Sequence, residues 1–99
     1  MMAVTDADAI RLSPADNVAT VLRAVTAGQS ICVQCGDRAE MLTATESVPF
    51  CHKISLAAIA PGELVWKYGE VIGVATGEIR PGVHVHVHNL ASRRGKGTR

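Results

Sequence analysis

Ninety-nine residues with ten Lys and Arg, nine Asp and Glu and a formal charge of +1 describe one domain near the lower size limit for a self-sufficient core. The chain is 47% hydrophobic but has one Phe, one Trp and one Tyr, so its core must come from Val, Ile, Leu and Ala, as in a mainly β domain with short helical turns. Near-neutral charge and few rings supply neither the electrostatic footprint nor the stacking platforms of a nucleic-acid binder, and no nucleic acid is expected as a partner.

Residues 1–11 show no periodicity and read as a flexible N-terminal arm, followed by a folded domain over 12–90 and a basic tail over 91–99. The opening residues carry acids where an export signal has bases, and no apolar run approaches the ~20 residues that span a bilayer. Three cysteines, an odd count, suit a reducing compartment. The chain therefore reads as cytoplasmic, with no membrane partner and no structural disulfide.

The turn formers Ser13-Pro14 and Asp16-Asn17 lead into Val18–Leu22, a short strand passing into a helical turn. Ile31–Cys35 and Glu40–Thr45 flank Gly36-Asp37-Arg38 as a hairpin. Ser55 is placed to cap a short helix over residues 56–59. Leu64–Tyr68 and Val71–Ala75 read as strands, and Gly73 inside the second marks a bulge or a close backbone approach.

One pattern recurs three times: Val25-Thr26-Ala27-Gly28-Gln29-Ser30-Ile31, Ile59-Ala60-Pro61-Gly62-Glu63-Leu64-Val65 and Ile79-Arg80-Pro81-Gly82-Val83-His84-Val85. Pro before Gly is the type II turn signature, because Pro fixes φ at the second position and Gly accepts positive φ at the third. Each copy predicts a tight turn followed by a new strand.

The last copy opens into Val83-His84-Val85-His86-Val87-His88-Asn89. In a strand His84, His86 and His88 share one face and the valines the other. Imidazole is the commonest transition-metal ligand and titrates near neutrality, yet the same alternation also suits an ordinary half-buried strand. Same-face neighbours are about 6.6 Å apart along a strand and the outer pair about 13 Å. Two adjacent rings can therefore share one ion, and the third needs a bulge or another task. Cys32-Val33-Gln34-Cys35 with Cys51-His52 lacks the second paired knuckle of a zinc site, and the three cysteines read as core.

Asp16-Asn17-Val18, His52-Lys53-Ile54, Lys67-Tyr68-Gly69 with Ile72-Gly73, and Gly82 through Asn89 together resemble the small SAF domain of the altronate and galactarate dehydratase family, which includes the sulfolactate sulfo-lyases. The resemblance spans residues 12–90 and implies a compact SAF-type β-clip fold. It also implies a separate large lyase subunit as partner, because the chain stops soon after Asn89 whereas other members fuse this domain to a larger region. The implied activity is a carbon–oxygen or carbon–sulfur lyase acting on a small-molecule 2-hydroxy acid: altronate, galactarate or sulfolactate. The implied cofactor is a divalent metal, Fe2+ or Mn2+, with Zn2+ as a further option.

Within that resemblance His86 and His88 are read as metal contacts, with His84 next as a substrate contact. Asn89 either orients a substrate hydroxyl or closes the strand. His52 and Lys53 form the candidate catalytic pair, acid or base and carboxylate holder. Lys67 and Tyr68 offer a cation and a phenol to the substrate. Homo-oligomerisation is open, and the rival function is a non-catalytic SAF-type module that binds carbohydrate or another protein.

Overall fold

The computed structural model describes residues 7–92. Its strands are β1 (Ala9–Arg11), β2 (Val18–Val21), β3 (Ser30–Cys35), β4 (Arg38–Thr43), β5 (Lys53–Ser55), β6 (Leu64–Lys67), β7 (Glu70–Ala75), β8 (His84–Val85) and β9 (Leu90–Ser92). Six form one sheet in the order β4-β3-β1-β2-β5-β8, and three form a second in the order β6-β7-β9. Only β1 and β3 run parallel among these neighbours; the rest are antiparallel. The mainly β architecture is the expected one, but among the described residues there is no helix. Hence none is long and apolar enough to cross a membrane.

Three local expectations change. Residues 9–11, read as part of an arm, form β1 inside the larger sheet, with Ala9 fully buried and the Asp8 N–H donating to Cys32 O at 2.9 Å. Three residues are too few to display a period. At the other end β9 carries the folded region to Ser92; residues 1–6 and 93–99, the rest of the predicted arm and tail, lie outside the described residues. Ser55 ends β5 and caps no helix, because its hydroxyl is committed to a turn.

The apolar residues divide into two groups. Ala9, Ala19, Val21, Val25, Ile31, Val33, Ala44, Val48 and Ile54 pack under the larger sheet. Val18, Ile59, Val65, Ala75, Ile79 and Val85 pack between it and the smaller one. Strand parity sends Val18 to one group and Ala19 to the other, so β2 serves both.

Asp16 and Asn17 hold the two sheets together. Asp16 is 5% exposed, and its carboxylate accepts from Ser13 N at 3.2 Å, Tyr68 N at 2.8 Å and Gly69 N at 2.8 Å. Tyr68 and Gly69 both have positive φ, 57° and 78°, as a two-residue type I′ hairpin between β6 and β7 requires. Asn17 donates from Nδ2 to Leu64 O at 3.0 Å and accepts at Oδ1 from Trp66 N at 2.8 Å.

The sequence repeat is structural. Gly28, Gly62 and Gly82 have φ of 89°, 85° and 83°. In each unit the glycine N–H donates to a facing residue, Ala44, Ala75 or Ser55, whose own N–H donates to Gln29, Glu63 or Val83. The first two turns close directly, Gln29 N to Thr26 O and Glu63 N to Ala60 O, each at 3.0 Å. In the third the Ser55 hydroxyl is inserted: it accepts from Val83 N at 2.9 Å and donates to Arg80 O.

A Cβ at Gly82 would stand 2.3 Å from Thr43 O, whereas one at Gly28 would meet nothing within 4 Å. Gly28→Ala should therefore cost about 1–2 kcal/mol from its left-handed backbone alone. Gly82→Ala adds a backbone clash and should cost about 3 kcal/mol or more. Urea denaturation of the two variants checks this, and equal losses would contradict the close approach.

Candidate functional site

His52 enters β5 from a tight turn. Its N–H donates to Pro49 O at 3.0 Å, and Cys51 takes φ of 72°, a left-handed conformation uncommon for a non-glycine residue. β5 pairs with β8 so that Lys53 faces Val85 and Ile54 faces His84. Continued by one pair, that register brings His52 opposite His86. The Ser55 hydroxyl in the third turn fixes where β8 begins, and so the height of His84 against His52.

The His/Val alternation does not continue as a strand. β8 stops after Val85, and residues 86–89 form a turn in which Asn89 N donates to His86 O at 3.0 Å. Asn89 uses both ends of its amide here: Oδ1 accepts from His86 N at 2.9 Å and Nδ2 donates to His84 O at 3.0 Å. Of its two expected tasks, closure of the local backbone is the one its hydrogen bonds perform. Glu46 accepts from His84 N at 3.1 Å.

The turn gathers the imidazoles. His52 Nδ1 and His84 Nε2 are 2.9 Å apart, and the His52 ring stacks on His86 with centroids at 4.4 Å. One nitrogen from each of His52, His84 and His86 falls within 4.8 Å of the others. Exposed His88 lies outside this group of three; its ring is 5.4 Å from that of His84. The group thus includes His86, expected as a metal contact, together with His52 and His84, which the sequence reading assigned to catalysis and substrate. No residue pattern announces His52 as their neighbour, because the register of strands some 30 positions apart creates it.

Two nitrogens each about 2.1 Å from one ion stand about 3.0–3.4 Å apart at octahedral or tetrahedral angles. The His52–His84 approach is already of that size. Without an ion it is also the distance of an N–H···N hydrogen bond. Burial and the neighbouring rings hold the His84 pKa below its usual value, with Glu46 pulling weakly the other way. Desolvation, His52 and then Lys53 do the same to His86. Both are therefore biased toward the neutral form that binds metal. The set is three imidazole nitrogens, which suits a borderline divalent ion and leaves positions for oxygen ligands.

Lys53, Lys67 and Tyr68 assemble separately. Lys53 stands opposite Thr20 on β2, and Thr20 Oγ1 is 3.0 Å from the Tyr68 hydroxyl. Lys67 Nζ lies 4.7 Å from the centre of the Tyr68 ring. Parity turns Lys53 to the face opposite Ile54 and His84. Sequence reasoning missed Thr20, Glu46 and Ser55 as members of these surroundings; Asp16-Asn17 ahead of β2 was the visible trace of the clamp that orients Tyr68.

A family model for the altronate/galactarate dehydratase SAF domain matches residues 7–93. The chain belongs to this family. Among its relatives, the alpha subunit of (2R)-sulfolactate sulfo-lyase from Paracoccus pantotrophus is 40% identical over 65 residues, covering 65% of this chain and 97% of that subunit. The subunit of the same name from Chromohalobacter salexigens is 37% identical over 76 residues, 75% of this chain and 81% of that subunit. Altronate dehydratase of Escherichia coli K12 is 39% identical over 80 residues, 81% of this chain but only 15% of the enzyme. This SAF domain is thus homologous to a sulfo-lyase subunit and to a segment of a far longer dehydratase.

The depressed pKa values of this SAF domain's His84 and His86 have a thermodynamic consequence. As pH falls through about 6.5 the unfolded chain takes up protons before the folded one does, so stability falls with pH in that window. Metal-free protein should show a decreasing melting temperature from pH 7.5 to 5.5, and His84→Gln should flatten that dependence. A pH-independent melting temperature would contradict the packing of these rings.

Proposed function

We propose that this chain is the small subunit of a cytoplasmic, metal-dependent lyase, acting with a separate larger subunit on a 2-hydroxy acid such as sulfolactate, altronate or galactarate. The observation that carries the reading is the convergence of His52, His84 and His86 in a chain that covers 97% of a sulfo-lyase alpha subunit. Such an elimination removes a weakly acidic proton beside a carboxylate, while the bond from the next carbon to oxygen or sulfur breaks with its electron pair. Water or sulfite departs, and negative charge collects on the carboxylate as the proton leaves.

The three imidazoles would hold Fe2+ or Mn2+, or alternatively Zn2+, and the ion when bound would stabilise that charge, an effect worth several kcal/mol. The chain's own part is positional. Ser55 sets the start of β8, Asn89 holds the backbone between His84 and His86, and the turn before His52 delivers the third ring. No carboxylate belongs to the group among the described residues, so the remaining ligands are assigned to substrate and partner.

Co-expression with the larger subunit tests this. The complex should contain a divalent metal and eliminate water or sulfite from one of these acids, and His86→Ala should lower turnover about tenfold or more. Full turnover by the larger subunit alone would instead favour a binding module without a part in bond breaking.

A further inference from the structure

At the seam between the two sheets the main chain brings two ammonium groups and two hydroxyls together. Thr20 and Lys53 come from neighbouring strands of the larger sheet, directly opposite each other in register. Lys67 and Tyr68 come from the end of β6 and the hairpin that the Asp16 carboxylate grips. The Thr20 and Tyr68 hydroxyls are in contact, and Lys67 lies over the Tyr68 ring. Glu70 faces Lys67 across the hairpin.

Lys53 is the unusual member. It is half-buried and forms no ion pair among the described residues. Burying a charge without a partner is costly, and a second cation nearby adds to the cost. A bound anion relieves both at once, with the two hydroxyls as further donors.

We propose that Thr20, Lys53, Lys67 and Tyr68 form an anion site for a carboxylate or sulfonate group, on the face of the sheet opposite His84. The anion site does not rest on the lyase reading above.

The full chain, without its partner, can be titrated by two-dimensional amide NMR with methanesulfonate and separately with acetate, at ionic strength fixed with chloride. Saturable shifts are expected at Thr20, Lys53, Lys67 and Tyr68, weakened about tenfold by Lys53→Gln and also reduced by Lys67→Gln. Tighter methanesulfonate binding would assign a sulfonate and tighter acetate binding a carboxylate, and equal binding supports the shared chemistry. Cobalt(II) binding at the histidines, followed by absorbance, should be retained in both variants, which separates failure here from failure of the metal reading. Shifts reproduced by chloride alone, or unaltered affinity in both lysine variants, would overturn the site. So would an absence of anion binding combined with loss of the larger subunit on Lys53→Gln, which would make this patch a protein contact.

Discussion

A carboxylate removed from water has to be met by donors, and Asp16 is met by three N–H groups, two of them from the hairpin that joins β6 to β7. Removing Asp16 would strand those donors, a loss of about 1–3 kcal/mol for each one left unsatisfied and buried. The bonds do more than stabilise. The smaller sheet contributes only Val65 and Ala75 to the fully buried layer, and apolar contact is non-directional, so it cannot by itself set how that sheet sits. The bonds of Asp16 and Asn17 supply the direction.

From that constraint the geometry extends both ways along β2. One neighbour is the hairpin, where Tyr68 is pinned in a left-handed conformation with its hydroxyl on Thr20. The other is β5, paired with β2 through Val18–Ser55, Ala19–Ile54 and Thr20–Lys53. β5 then presents its first residues to β8. A short strand therefore joins the clamp, the lysines and the imidazoles in one framework, which lets a domain this small hold polar side chains in fixed relation.

Much of this could be read from residues alone, and the exceptions have definite causes. The three glycine turns were visible because positive φ is a local demand that few residues meet. The convergence of His84 and His86 was visible as alternation, but the strand was expected to run on and it stops at Val85. What ends it is the Asn89 side chain, an amide that hydrogen-bonds the backbone of His86 and His84, three and five positions back, and leaves no periodic trace. His52 joined the group through strand register, a tertiary property. Ser55 looked like a helix cap because a serine before apolar residues has that propensity; the third turn made a stronger claim on its hydroxyl. β1 was lost because Ala9-Ile10-Arg11 is too short to display a repeating pattern.

The bonds made by Glu46 and Asn89 also determine how the larger sheet ends. In the β5–β8 ladder the N–H and C=O of His84 point away from β5, where a further strand would attach. Glu46 occupies the first and the Asn89 amide the second, and the same amide takes the next N–H at His86. This border of the sheet is closed by side chains, so it offers no template for strand addition. The opposite border, β4, is six residues long and mostly exposed. Growth of the sheet by another strand, whether from a second copy or from a peptide, would fall at β4 and away from the histidines.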